Sequence, residues 1–340
     1  MKARTMPLLD ADSVAVAAVT YNRPQDLAVL LGALGSQSQT IVRISVVDSG
    51  TQPASDVLEN ARPGLAAAGT ELDVIRSEAN LGGAGGFSLA ILHALASGAQ
   101  WVWIMDDDAR PEDPDCLSVL LSEARARSLP VVLPIVASPE DERRLSFGFR
   151  LDGRLEFSRN AVERKGFLPD VGHFFNGALV HRDVFFRVGL PDLKLFIRGD
   201  ETDFMLRLRR ADIPFGTVST TALRHPTGWS EVRPVLGERW HVLVPDTAMK
   251  REAFFRNRGY LIRRHRRLKS FVADAVGYPV HFARTRDLAG LREWSRPFLD
   301  GLRGRGFSAP EAAPAAQPGQ AAPRSAAGGA APAPTPHTGD

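Results

Sequence analysis

The sequence predicts an α/β fold: a mostly parallel sheet flanked by helices, followed by a C-terminal helical segment. Three observations carry this. Short apolar runs alternate with stretches of helical spacing through the first third of the chain. The runs are apolar throughout, as strands covered on both faces are. Each run stops at a polar or glycine-rich turn.

Taken in order, residues 14–19 form the first apolar run, which ends at Thr20, Tyr21, Asn22, Arg23 and Pro24, and residues 26–34 have helical spacing. Residues 44–47 are the second strand, closed by Asp48, Ser49 and Gly50. Residues 72–75 are the third, leading through Asn-Leu-Gly-Gly-Ala-Gly-Gly-Phe at 80–87 into a helix over about 84–97. Residues 101–105 are the fourth and run directly into Asp106, Asp107 and Asp108. In such sheets ligands bind beyond the carboxyl ends of the strands. That rule brings Thr20, Tyr21, Asp48 and the aspartate triplet to one edge.

Later, residues 195–204 (Leu-Phe-Ile-Arg-Gly-Asp-Glu-Thr-Asp-Phe) join an apolar segment to a helix over 202–210. From about Ser308 the composition turns to Ala, Pro and Gly, which cannot bury enough apolar surface to order itself. The expected organisation is a catalytic domain over 1–230, a basic helical extension over 231–307 packing on it, and a disordered tail over 308–340.

Composition bounds the function. The 340 residues are 44% hydrophobic and 24% charged, enough for a real core. No run of eighteen or more apolar residues and no secretory signal is visible. Cys116 is the only cysteine, so an intrachain disulfide and a cysteine zinc site are excluded. These features lead us to expect a cytoplasmic protein. The net charge is only +3, but positive charge concentrates in residues 254–269 with aromatic and aliphatic residues between. Phosphate clamp, membrane-surface helix and nucleic-acid contact all fit that pattern, and a solvated basic face fits it equally well.

Three adjacent carboxylates repel one another unless a cation compensates them. In an extended chain alternate side chains share a face, so Asp106 and Asp108 point one way and Asp107 another. A hard divalent ion such as Mn2+ or Mg2+ takes oxygen ligands of this type and bridges to phosphates. An acidic turn or helix cap is the plainer reading. The glycines at 82 and 83 let backbone N–H groups approach an anion at a helix N-terminus, although a tight turn packed on the sheet needs them too. A dinucleotide-binding oxidoreductase requires its glycine fingerprint after the first strand, where this chain has Thr-Tyr-Asn-Arg-Pro. Asp203 suits the dipole of the helix it begins. Asp200 and Glu201 are the candidates for taking a proton from a sugar hydroxyl. His225 offers a neutral imidazole that could complete a site begun by Asp108.

These motifs, in this order and spacing, resemble family 2 glycosyltransferases of the GT-A nucleotide-diphospho-sugar transferase fold, with the likeness running from about 14 to about 267. Residues 80–87, 103–109, 175–178 and 195–201 resemble the galactofuranosyltransferases of actinobacterial cell-wall galactan. The resemblance implies inverting, metal-dependent transfer from UDP-galactofuranose to a prenyl-diphosphate-linked glycan. It places Thr20, Tyr21, Asp48, Asn80, Gly82, Gly83, Asp106 and Asp107 on the donor and Asp106, Asp108 and His225 on the metal; Arg256, by its charge in the basic segment, is a further candidate for the donor diphosphate. It places Asn176, Arg198 and Trp229 on the acceptor, and Glu201 or Asp200 as base. Glu201 stands where the family usually has Asp. The resemblance further implies a peripheral position on the inner face of the plasma membrane, with Arg263, Arg264, Arg266 and Arg267 facing anionic lipid. It also implies no nucleic-acid partner, and it leaves an oligomer open. A rhamnosyltransferase of the same fold and a non-catalytic basic binding protein are the competing readings.

Overall fold

The computed structural model describes residues 13–236 and 240–307. The expected tail over 308–340 lies outside the described residues.

The element order begins β1 (Val14–Thr20), α1 (Pro24–Gly35), β2 (Ile41–Asp48), α2 (Ser55–Ala67), β3 (Glu71–Arg76), α3 (Gly82–Ala96) and β4 (Trp101–Asp106). It continues with β5 (Arg110–Pro111), α4 (Cys116–Arg127), β6 (Val131–Ala137), β7 (Arg144–Leu151), β8 (Arg154–Ser158), α5 (Arg159–Glu163), β9 (Phe167–Pro169), β10 (Asn176–His181) and α6 (Arg182–Val188). The last elements are α7 (Asp200–Arg210), β11 (Phe215–Arg224), β12 (Val232–Leu236), β13 (Trp240–Leu243), α8 (Ala248–Arg264), α9 (Leu268–Arg284) and α10 (Leu288–Arg303).

The main sheet runs β3-β2-β1-β4-β10-β6-β11-β5, with β7, β8 and β9 attached at its margin. The pairs β3–β2, β2–β1, β1–β4 and β6–β11 are parallel. An antiparallel strand, β10, sits between β4 and β6. Side-chain alternation then divides the core in two. Val14, Val16, Trp101, Trp103 and Met105 face α1, α2 and α4. Ala15, Ala17, Val102 and Ile104 face α3, α6 and α7. Small side chains on β1 suit a close helix there. A Cβ on Gly86 of α3 would stand 2.9 Å from Val19 Cγ1. One part of the glycine run therefore serves helix-on-sheet packing.

The C-terminal helices have a separate core of Phe255, Tyr278, Phe282, Trp294 and Phe298, closed on one side by Val235 and Val242 of the β12–β13 hairpin. Among the described residues no helix is long and apolar enough to cross a membrane.

Candidate active site

Register does the first assembling. Pairing of β1 with β2 sets Thr20 beside Asp48, and pairing of β1 with β4 sets Val19 beside Asp106. The ends of these strands form the predicted edge.

There the triplet converges rather than alternating, because Asp107 and Asp108 follow the strand in a turn. Asp107 turns inward and is 3% exposed. Its carboxylate accepts from the Thr20 hydroxyl at 2.8 Å, from Tyr21 N–H at 3.3 Å and from Arg23 at 3.1 Å. Asp108 places Oδ1 2.9 Å from His225 Nε2 and its second oxygen on the same Arg23 nitrogen that Asp107 binds. Asp106 opens toward the same cleft, and its backbone N–H donates to Phe175 O at 3.0 Å. His225 follows β11, and its carbonyl accepts from the Ser146 hydroxyl at 2.5 Å.

Could these groups hold a cation? Oxygen atoms of Asp106, Asp107 and Asp108 lie within 4.8 Å of one another. Burial, reinforced by Asp108 and Asp107, raises the Asp106 carboxyl to about 7. Burial acts on Asp108 too, but His225 and Arg23 outweigh it and hold that group below the usual carboxylate range. A pocket that forces one acid toward neutrality while keeping its neighbour ionised suits a divalent ion, which relieves the repulsion. The donor set of carboxylate oxygens and one imidazole fits.

Asp200 and Glu201 open α7 rather than preceding it. Burial raises both to about 7. Asp200 is 5% exposed, and its carboxylate is held by backbone N–H groups of the first helical turn. Glu201 is half-buried and accepts from Phe174 N–H. Asp203, in the same turn, is spent on His265 at 2.8 Å and Arg207 at 2.8 Å.

The loop leading into α7 carries three residues in the left-handed region: Phe196 (φ 58), Arg198 (φ 63) and Gly199 (φ 117). Two of them are not glycine, a conformation that persists only when the surroundings enforce it. On one side Phe196 O accepts from Ala84 N–H at 2.9 Å. On the other, the side-chain amide of Asn257 in α8 lies 2.7, 2.9 and 2.7 Å from the carbonyl oxygens of Leu195, Ile197 and Arg198. Arg198 itself makes two 2.7 Å bonds to Glu231. This loop also fixes the glycine segment. Gly82 has φ +62, and a Cβ there would collide with Phe196 O. A Cβ on Gly83 would stand 3.3 Å from the Asp200 carboxylate. Asn80 caps the turn by accepting from Gly82 N–H at 2.9 Å.

The remaining predicted residues fall into place unequally. Tyr21 is 41% exposed at the edge. Asp48 turns inward instead: its carboxylate accepts from Gly50 N–H at 3.0 Å and Ala54 N–H at 2.9 Å and pairs with Arg76 at 3.1 Å. Asn176 starts β10 opposite Met105, and its Oδ1 is buried without a partner. Trp229 donates to Leu145 O at 2.9 Å and lies beneath the Arg144 guanidinium. Arg256 is not brought in with them. Its guanidinium binds Asn257 Oδ1 and Gly306 O and covers the Phe307 ring, so the C-terminal helices use it for their own packing.

Sequence reasoning passed over Arg23, which bridges Asp107 and Asp108, although it stands in the quoted Thr-Tyr-Asn-Arg-Pro turn. It also passed over His173. That ring packs on Phe147 and Phe149, its Nε2 is buried without a partner, and burial lowers its pKa to about 4.

Residues 15–186 match the family model described as glycosyl transferase family 2. The chain is 41% identical over 290 residues to the galactofuranosyltransferase GlfT1 of Mycolicibacterium smegmatis, covering 83% of this chain and 94% of that protein. It is 39% identical over 294 residues to GlfT1 of Mycobacterium tuberculosis, covering 84% and 94%. Among solved structures, S. aureus TarS 1–349 in complex with UDP-GlcNAc superposes with TM-score 0.51 at 12% identity, over 85% of this chain and 81% of that one. GalNAc-T7 with UDP, GalNAc and Mn2+ gives 0.52 at 13%, over 86% and 56%. At such identities these two show a shared fold.

Proposed function

Starting from a chain that belongs to glycosyl transferase family 2 and is a glycosyltransferase, we propose that it moves galactofuranose from UDP-galactofuranose to a lipid-linked glycan acceptor with inversion at the anomeric carbon. The observation that carries the chemistry is the meeting, at one sheet edge, of acids driven to opposite protonation behaviour. Asp108 is held ionised, whereas Asp200 and Glu201 are raised to about 7. Acids separated in this way have separate roles. Identity of 41% to a galactofuranosyltransferase over most of both chains supports the sugar.

Asp106, Asp108 and His225 would hold a divalent cation, which when bound supplies positive charge to the departing UDP. Glu201 is the base. Phe174 N–H fixes Oε1, leaving Oε2 to take the acceptor hydroxyl proton as the new C–O bond forms and the bond to the UDP oxygen breaks. Asp200, tied to the helix N-terminus, supports that turn. A raised pKa makes Glu201 a stronger base than an exposed carboxylate, while leaving it partly ionised near neutral pH. Asp107 is the brace: its bonds to Thr20, Tyr21 and Arg23 hold two strand ends together. The catalytic unit over 1–230 then depends on the helical extension, because Asn257 and Glu231 hold the loop that delivers Glu201.

The lipid-linked acceptor is supported by α9. Its side chains Leu268, Phe271, Val272 and Val276 are exposed on one face, Leu268 at 72%. Between 253 and 286 the single acid, Asp274, is paired with Arg258. An exposed apolar stripe that follows directly on the basic residues Arg263, Arg266 and Arg267 suits an anionic bilayer surface. Arg264 contributes less than the sequence suggested, since Asp192 and Asp203 hold it.

The test is donor hydrolysis by the purified protein with UDP-galactofuranose and with dTDP-rhamnose. Turnover of the first only is expected; preference for the second would replace this reading by a rhamnosyltransferase.

A further inference from the structure

Beyond the edge that carries the acids, a cleft of about 600 Å3 opens between the β7–β8 hairpin and the β12–β13 hairpin. Arg143, Arg144, Glu156, Phe157, Val232 and His241 line it. Arg159, Arg198, Arg224 and Arg258 have carboxylate partners, whereas among the described residues Arg143 and Arg144 make no ion pair. Arg144 is nevertheless held: its guanidinium lies 3.8 Å over the Trp229 ring and 5.7 Å from that of Phe157. Stacking covers the face of the guanidinium and leaves its N–H edge for an incoming group. His241 adds a buried Nδ1 without a partner. The one acid, Glu156, already accepts from Ser158 N–H at 2.7 Å.

Position decides which substrate this cleft serves. From Arg144 the β7 strand leads to Phe147, whose ring packs 5.0 Å from that of His225. Three strand residues span about 10 Å, which separates the Arg144 backbone from Phe147 and the His225 ring packed on it. On the other wall Val232 follows Glu231, the partner of Arg198 just before the base. This wall ties the cleft to the loop that carries Glu201, the residue an acceptor hydroxyl must meet.

We propose that this cleft is an anion subsite that binds the phosphate or diphosphate group of the glycan acceptor, with Arg143 and Arg144 as its charged contacts. Two planar guanidinium groups on adjacent residues, one pre-oriented by an indole, match the oxygens of a phosphate. The assignment rests on the reading of the protein as a transferase with a diphosphate-bearing acceptor.

The test uses the full chain and two water-soluble acceptors carrying the same disaccharide, one on a short alkyl diphosphate and one on a neutral alkyl group. Arg143→Ala should raise the diphosphate-acceptor KM about tenfold or more, as loss of a charge-assisted bond does. The kcat, the donor KM and the neutral-acceptor KM should stay within about twofold, since uniform binding alone is removed. Because Arg144 braces Trp229, Arg144→Lys is the second variant; it keeps the charge, loses the fork and should show the same selective KM rise. Equal KM increases for both acceptors, or none, would overturn the proposal. So would loss of binding to phosphatidylglycerol vesicles with the soluble diphosphate acceptor unaffected, because the phosphate would then belong to lipid headgroups. If neither acceptor turns over, the functional reading has failed, and titration with inorganic pyrophosphate in the presence of chelator still reads the cleft. Binding weakened by Arg143→Ala supports the subsite, and binding indifferent to it rejects the subsite.

Discussion

Asn257 stands outside the catalytic motifs, yet its replacement should cost the enzyme turnover as well as stability. Its side-chain amide is fully buried and meets the carbonyls of Leu195, Ile197 and Arg198. An amide has two N–H groups, so the three contacts amount to about two full hydrogen bonds. In Asn257→Ala the bonds are lost and the carbonyls remain in a place water does not reach, a cost of about 2–4 kcal/mol. For a chain this size that lowers Tm by roughly 3–6 °C. The loop it releases contains two non-glycine residues with positive φ, and their relaxation moves Asp200 and Glu201. Misplacement of about 1 Å at a reacting group costs on the order of 10²-fold in rate. We therefore expect kcat to fall by about that factor while donor KM stays within about threefold, the pattern of an interaction felt mainly in the transition state. Asn257→Asp should be worse, since it turns a carboxylate toward three carbonyl oxygens. Thermal unfolding and steady-state kinetics on the same preparations decide it. A lowered Tm with kcat within twofold of wild type would show that the loop holds its own shape.

Other predictions rest on separate features. Burial raises Asp200 and Glu201 to about 7, so the ionised base accumulates only as pH climbs through that value, and the rising limb of kcat/KM should have its midpoint near 7. Stability runs the other way. A carboxyl whose pKa is about 4 unfolded and about 7 folded binds extra proton in the folded state, so stability falls as pH rises between those values. A limb at pH 4–5 would contradict this. Gly82→Ala should destabilise by more than the roughly 1–3 kcal/mol of its positive φ, because the new Cβ meets Phe196 O; Gly98→Ala, also at positive φ but with nothing nearby, is the denaturation control. Replacing Val272 and Val276 by Glu should weaken sedimentation with anionic vesicles by about tenfold per residue, and unchanged sedimentation would remove α9 from the interface.

The sequence carried much of this because the relevant signals are local. Four apolar runs became β1 to β4, but the period of two did not extend into the aspartates, because Asp107 and Asp108 leave the strand in a turn and converge on Arg23. The helix starts were less legible: α3 and α7 each begin two residues before expectation, and for α7 that draws Asp200 and Glu201 into the first turn. What escaped is long-range. Nothing near residue 257 indicates that its amide reaches carbonyls some sixty positions away. The antiparallel β10 reads like any other apolar strand, since its direction depends on the chain's path. Phe196 and Arg198 adopt positive φ without the glycine that usually announces it. Arg256 was placed on the donor from its charge alone, whereas partners only folding supplies, Gly306 and Phe307, take its guanidinium.

The most direct test is transfer itself. The purified full chain is incubated with UDP-galactofuranose, Mn2+ and a synthetic prenyl-diphosphate disaccharide, and the acceptor is weighed by mass spectrometry. We predict a gain of one hexosyl unit, abolished by chelator and lost in Asp108→Asn and His225→Ala. Transfer that survives chelator and both substitutions would contradict the account.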